Sequence, residues 1–279
     1  MGSPFCYIGR VRKMKIYILT DLEGVGGVLN RSQVFDGAPG YEKAREWLTM
    51  EVNAAVEGAI EGGAKEVLVL DSHGTNQARN FRYEMLHEGA RYIQGIPRTD
   101  YLQGIDSSFD GLFQIGVHAM AGTPGAILEH TMSSEAWVEM KVNGVTMGEI
   151  GLSAAAAGVF DVPFVMVSGD DKACAEAAAI NPAIEQAVVK EGISRHCAKL
   201  LPMQAVHNVI REKATRAMDR LKSIPPYKIE SPVEIEVRYF RNDVYEGIRE
   251  REGVRKVSPQ TVIFSGKTIV EAWRRVWGG

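Results

Sequence analysis

From about residue 14 onward, apolar positions along this chain alternate between two periods. Lys15–Thr20, Glu66–Leu70, Leu112–Val117 and Pro163–Ser168 are short, nearly continuous apolar runs, the pattern of central parallel strands covered by helices on both faces. Over Tyr41–Ile60, apolar residues recur as Ala44, Trp47, Leu48, Val52, Ala55, Val56, Ala59 and Ile60. That spacing traces one face of a helix, which Gly62-Gly63 ends. A further Ala-rich helix is expected over Lys172–Ala179, just past Gly169-Asp170-Asp171. Strand–helix–strand alternation and the right-handed crossover rule together predict an α/β fold whose sheet is mainly parallel and flanked by helices.

Elsewhere the pattern changes. Ala136–Val142 and Val145–Met147 flank Asn143-Gly144, the dipeptide that best tolerates the two positive φ angles of a tight hairpin turn. Glu149 follows at the start of the helical run Ile150–Val159. After about Lys190 the chain becomes more charged. A helix is expected over Gln204–Lys222, broken after Ile224 by Pro225-Pro226. Val233, Ile235, Val237 and Tyr239 then alternate with Glu234, Glu236 and Arg238, as in a strand buried on one face. A strand at Thr261–Phe264 and a helix at Lys267–Trp277 complete a smaller α+β portion. The expected organisation is an N-terminal extension at 1–13 outside the fold, an α/β domain at 14–190 and the smaller portion at 191–279.

With 279 residues and a formal charge of −3, the chain can bury a sizeable core and carries no basic surplus to neutralise phosphates, so nucleic acid is not an expected partner. No apolar run reaches the ~18 residues a membrane helix needs. The first thirteen residues lack the apolar segment of a signal peptide, and Met14 reads as a natural second start. Cys6, Cys174 and Cys197 have no C-x-x-C spacing, which suits a reducing cytoplasm better than a disulfide framework.

Three of the apolar runs stop at metal-ligand side chains: Asp21-Leu22-Glu23, Asp71-Ser72-His73 and His118. In an open α/β sheet, ligands bind outside the carboxyl ends of parallel strands, so carboxylates and imidazoles gathered there point to a hydrolytic metal site. Each signal alone is weak, because acids commonly occupy solvated turns and a single His near a strand end is most often an ordinary hydrogen-bonded residue. Their shared placement strengthens them. Gly24, Gly26 and Gly27 do not make a dinucleotide fingerprint, since Leu29 stands where its third glycine would fall, and no phosphate-loop Lys follows. Asp71 reads as a partner for a ligand imidazole. His87, His196 and His207 read as surface residues in helical surroundings. His130 differs, lying in the loop-like stretch that begins at Gly122-Thr123-Pro124-Gly125.

Asp21-Leu22-Glu23-Gly24, Asp71-Ser72-His73, Gly116-Val117-His118-Ala119, Thr123-Pro124-Gly125 with His130, and Asn143-Gly144 with Gly148-Glu149-Ile150-Gly151 occur in this order. So arranged, they resemble the DppA-type zinc D-aminopeptidases, from Met14 through nearly the whole chain and most strongly up to Asp171. The resemblance implies a two-zinc hydrolase with Asp21, Glu23, His73, His118 and Glu149 as ligands, Asp21 bridging, and His130 as the catalytic histidine. Leu19 stands where the family has Ser, and Ser153 where an Asn is common; neither is a ligand position. The donor types agree with zinc, which accepts His nitrogen and carboxylate oxygen. Two zinc ions can activate a water and polarise a carbonyl, with His130 assisting as acid or base.

The reading that follows is an aminopeptidase releasing N-terminal residues, D-Ala among them, from short peptide substrates. A metal-dependent amidase or phosphoesterase is the alternative. Against phosphate stands the lack of a cationic cluster near the ligand segments, where Arg79 and Arg82 are the only candidates. A non-catalytic protein holding a peptide or metabolite in the strand-end cleft is the second alternative. The resemblance also implies a closed homo-oligomer, whose contacts Trp273 and Trp277 are placed to supply unless the C-terminal helix docks on its own chain.

Overall fold

The strongest apolar runs become the centre of a sheet whose order reverses around its first strand. The computed structural model describes residues 13–278, so the expectation about residues 1–13 lies, Lys13 apart, outside the described residues. β1 (Lys15–Thr20) is followed by α1 (Tyr41–Glu61), β2 (Glu66–Asp71), β3 (Arg91–Ile93) and β4 (Gly111–Val117). β1 pairs in parallel with β2 on one side and with β4 on the other. The chain thus winds outward through β2 and β3, then returns across β1 to lay down β4. That reversal creates a crevice at the carboxyl ends of β1 and β4, the usual ligand position in such sheets.

The remaining elements are β5 (Trp137–Val142), β6 (Val145–Thr146), α2 (Glu149–Gly158), β7 (Phe164–Asp170), α3 (Asp171–Ile180), β8 (Glu185–Ser194), β9 (Cys197–Leu200), α4 (Met203–Met218), β10 (Val233–Tyr239), α5 (Asn242–Gly247), β11 (Val254–Ser258), β12 (Thr261–Gly266) and α6 (Ile269–Val276). The main sheet runs β3-β2-β1-β4-β7-β8-β9 and a second sheet runs β11-β12-β10-β5-β6. The main sheet is parallel except at β9, which returns antiparallel on β8. β4 and β7 are buried along their whole length, whereas β10 alternates buried with exposed positions. The sheet is therefore covered on both faces at its centre, and the second sheet has one solvated face. α1 packs along α4, and α6 packs on β12 and β10 while reaching α2, so it joins the two sheets.

Local chemistry explains the boundaries. Gly62 caps α1 and Gly63 turns away at φ +105. Asn143 and Gly144 adopt φ 48 and 80, as a tight hairpin requires. Asp170 caps α3, its carboxylate accepting from Lys172 N and Ala173 N.

Several expectations need correction. The division at residue 190 does not follow the sheets, because β8 crosses it and the second sheet takes β5 and β6 from the N-terminal part. The mixed composition of Glu185–Ser194 hides a strand whose Lys190 points inward. α4 ends at Met218, a turn earlier than expected. His87 lies beyond a short 3-10 turn at Tyr83–Met85 and His196 in the β8–β9 hairpin, so only His207 is helical.

Candidate metal and peptide site

The crevice at the β1–β4 reversal collects all six residues singled out by sequence. Asp21 and Glu23 follow β1, His73 follows β2 and His118 follows β4, while Glu149 opens α2 and His130 lies on the loop between β4 and β5. Backbone bonds hold the first turn against β4, with Asp21 N donating to Ile115 O at 2.9 Å and Gly24 N to Gly116 O at 2.8 Å. The approach leaves no room for side chains. A Cβ on Gly24 would lie 2.0 Å from Val117 O, and one on Gly116, at φ +70, would lie 2.4 Å from Asp21 O. Beneath the loop, the buried Lys190 ammonium donates to Glu23 O, Val25 O and Val28 O, each at 2.7 Å. Gly26 N donates to buried Glu51 at 2.8 Å.

Each imidazole is oriented by one carbonyl and presents its other nitrogen to the site. His73 Nε2 donates to Val34 O at 2.8 Å, leaving Nδ1 2.9 Å from Asp21 Oδ1 and 3.2 Å from Glu23 Oε2. His118 Nδ1 donates to Ala119 O at 2.9 Å, leaving Nε2 3.2 Å from Asp21 Oδ2 and 3.4 Å from Glu149 Oε1. His130 Nδ1 donates to Leu128 O at 2.9 Å, its ring stacks on His118 at 4.0 Å between centroids, and its Nε2 lies 3.9 Å from Glu149 Oε1. A carbonyl on one ring nitrogen fixes the tautomer and leaves the other nitrogen as a lone-pair donor, the usual support for a metal-ligand histidine. Glu149 is itself held by Met132 N at 2.7 Å.

The donor set fits zinc. Asp21, Glu23 and His73 form one group of converging donor atoms, and His118, His130 and Glu149 a second, each within a 4.8 Å span. Buried Glu23 Oε2 and His118 Nε2 make no hydrogen bond of good geometry although charged neighbours surround them, as expected of atoms aimed at a cation. Asp21 divides its oxygens between the groups. The electrostatics point the same way. Burial works to raise the Asp21 carboxyl, but its contacts with His118 and His73 outweigh that and hold it well below the ordinary range. Burial likewise works to depress both imidazoles, yet Glu23 and Asp21 around His73, and Glu149 and Asp21 around His118, push them well above their ordinary value. The cluster thus holds positive charge at its centre, whether as protons or as divalent cations with neutral imidazoles.

Asp71 does not meet a ligand imidazole as expected. It accepts from Asn80 N and Nδ2, and Asn80 Nδ2 donates to the His73 carbonyl at 2.9 Å, so Asp71 steadies the His73 backbone through Asn80. Asp170 acts similarly on the His130 loop, accepting from Ile127 N at 2.7 Å. Partly buried Glu176 accepts from Met120 N at 2.8 Å beside Gly148, where a Cβ would sit 2.5 Å from its Oε1; loss of solvent around the carboxyl pushes it up to about 7.

Above the cluster opens a cavity of about 620 Å³. Its rim could not be read from local sequence: Arg31, Arg98 with Tyr101, Arg195, and Trp273 with Trp277 come from four separate stretches of chain. Arg79 and Arg82 do not line it. Arg82 pairs with Glu42 and Glu84, and Arg79 bonds to its own turn at Asn76. The case against phosphate, which rested on the lack of a cationic cluster near the ligand segments, loses that basis, because Arg31, Arg98 and Arg195 line the cavity. Trp273 is buried and Trp277 exposed, and α6 docks on its own chain, with Tyr101 5.2 Å from Trp273 between ring centroids.

Known proteins resemble this chain over nearly its whole length. The family model for peptidase M55, described as D-aminopeptidase, matches residues 14–277. A D-aminopeptidase of Bacillus subtilis (strain 168) is 32% identical over 263 residues, covering 94% of each chain. The structure of the Zn-dependent D-aminopeptidase DppA from Bacillus subtilis, described as a self-compartmentalizing protease, superposes with a TM-score of 0.89 at 31% identity, over 95% of this chain and 96% of that one.

Proposed function

The chain belongs to peptidase family M55, the D-aminopeptidases, and is a zinc metallopeptidase; from that premise we propose a dinuclear zinc aminopeptidase that releases N-terminal residues, D-alanine among them, from short peptides. The observation that carries this reading is the division of Asp21, whose Oδ1 lies 2.9 Å from His73 and Oδ2 3.2 Å from His118. A carboxylate so placed suits a bridge between one ion held with Glu23 and His73 and another held with His118 and Glu149. When bound, the two ions supply a water of lowered pKa and polarise the scissile carbonyl.

This chain's own residues do the rest. His130 Nε2 is free to take a proton because Nδ1 is committed to Leu128 O, and returning that proton to the departing amine completes an acid–base cycle. Direct attack by His130 on the carbonyl adds nothing the activated water lacks. Glu23, at the floor of the cavity, is placed to receive the substrate's α-amino group. We further propose that the chain acts in a reducing cytoplasm, in keeping with its free Cys174 and Cys197. A closed homo-oligomer is the proposed assembly, with exposed Val145, Ile193 and Phe240 available for contacts. Among the described residues no helix is long and apolar enough to cross a membrane.

The test is alanine release from matched D- and L-alanyl amides by zinc-loaded protein, with zinc counted per chain. Faster release from the D-isomer and two zinc ions per chain are expected. His130→Ala should lose roughly 10²- to 10⁴-fold in kcat while keeping both ions. Loss of an ion in that variant would instead make His130 a ligand.

A further inference from the structure

Three arginines face the cavity, and they are not equivalent. Arg31 pairs with Glu135, and Arg195 pairs with Glu129, so their charges are already answered. Arg98 is half-buried and lines the same cavity, but among the described residues its guanidinium makes a single hydrogen bond, from Nη1 to Asp71 O at 2.7 Å. No carboxylate among the described residues lies within ion-pairing distance of it; neighbouring Asp100 turns instead to Arg274. A guanidinium carries five N–H donors in a planar fork that matches a carboxylate. Most of those donors face the cavity without a protein acceptor, so a carboxylate entering it can take up the fork without displacing an existing ion pair.

The position is informative. Asp71 precedes His73 by two residues, so the bond from Arg98 to its carbonyl ties the guanidinium to the edge of the metal-ligand group. Tyr101 and Trp273 continue the same wall. A two-residue peptide is at most about 7 Å long. That length fits within a cavity of about 620 Å³, so a dipeptide with its N-terminal residue over the acidic cluster would keep its free carboxyl end inside the cavity that Arg98 lines.

We propose that Arg98 receives the C-terminal carboxylate of the substrate, which makes short peptides with a free acid end, rather than blocked or long ones, the preferred substrates of this site. This rests on the aminopeptidase reading above and specifies its substrate class. Arg98 is then a specificity residue, and its energy is realised only when a carboxylate is present to accept the fork.

The experiment compares D-alanyl-glycine with D-alanyl-glycinamide as substrates of the full-length, zinc-loaded protein. The readout is the ratio of the two kcat/KM values. The parent protein should favour the acid, and Arg98→Gln should lower the ratio by roughly 10- to 100-fold, the range for a charge-assisted bidentate contact. Arg98→Lys, which keeps the charge and loses the fork, should restore part of it. A ratio unmoved by Arg98→Gln, with both substrates cleaved, overturns this inference and leaves the aminopeptidase reading intact. A parent protein that cleaves the acid no faster than the amide overturns it as well, whether or not any variant folds. Release from neither substrate overturns the aminopeptidase reading and this inference with it.

Discussion

The floor of the cavity and its rim are built on opposite principles. The floor residues sit at the ends of adjacent strands or at the first turn of a helix and are largely buried, and His73, His118 and Glu149 are each fixed by a backbone carbonyl or amide. The rim draws Arg31, Arg98, Tyr101, Arg195, Trp273 and Trp277 from distant segments and leaves several of them open to solvent. Hydrolytic chemistry needs donor atoms held within fractions of an ångström, which strand ends provide. Recognition of different peptides tolerates, and profits from, side chains that vary independently. Changes to the floor should therefore abolish activity, whereas changes to the rim should shift preference.

The largest expected effect lies in the floor. His118→Ala removes a buried nitrogen shared by Asp21 and Glu149, and activity on a D-alanyl amide should fall by ~10³-fold or more, in line with loss of a metal's contribution to the barrier. Chelation of the parent protein should do the same and lower its denaturation temperature, since a tightly bound ion stabilises the native state by mass action, about 4 kcal/mol at a thousandfold excess over Kd. Atomic absorption alongside the rate assay checks both. Full activity in metal-free protein would break the contrast at its base.

The same contrast explains what was legible in sequence. Asp21, Glu23, His73 and His118 follow apolar runs directly, so the strands announced where those side chains would converge. Glu149 and His130 were reached through a motif resemblance, because nothing in their local periodicity reveals a tertiary neighbour. Arg98 and the C-terminal tryptophans were opaque for a physical reason: Arg98 reaches the site from the β3–β4 loop through the Asp71 carbonyl, and the tryptophans only once α6 has docked on β12 and β10. Lys190 was hidden more deeply. A lysine in a mixed polar run ordinarily marks a surface, and only the three carbonyls around its ammonium show otherwise. The expected break near residue 190 failed at that same strand.

Beneath the floor, Lys190→Met should test whether rigidity comes from below. It strands the Glu23, Val25 and Val28 carbonyls in the interior, and a loss of ~3–5 kcal/mol in urea denaturation is expected. A fall in kcat of up to ~10²-fold should accompany it as the Glu23 turn loosens. Unchanged stability would mean that the loop holds itself.

A smaller effect is expected at Glu51, whose carboxyl burial pushes up to about 7 against the pull of Gly26 N–H and Lys190. The native state therefore keeps a proton that the unfolded chain releases, and stability should fall as pH rises from about 4.5 through 7. Glu51→Gln keeps an acceptor for Gly26 and removes the buried charge. It should gain on the order of 2 kcal/mol at pH 8 and little at pH 4, flattening the pH dependence of the urea midpoint. A variant that loses stability at both pH values would show that the negative charge is needed to balance Lys190.

The smallest effect belongs to the rim. Trp277 is 66% exposed, with its ring 6.0 Å from Trp273 and 6.4 Å from Trp137 between centroids, and it lines the cavity. Aromatic contacts of this kind contribute about 0.5–1.5 kcal/mol. Trp277→Ala should therefore raise KM for a short peptide by roughly two- to tenfold while kcat and bound zinc stay near the parent values. A side chain that helps hold substrate and transition state alike changes KM alone. If zinc content or kcat collapsed instead, Trp277 would be bracing the floor through Trp273 and Tyr101, and rim and floor would have to be treated as one structure.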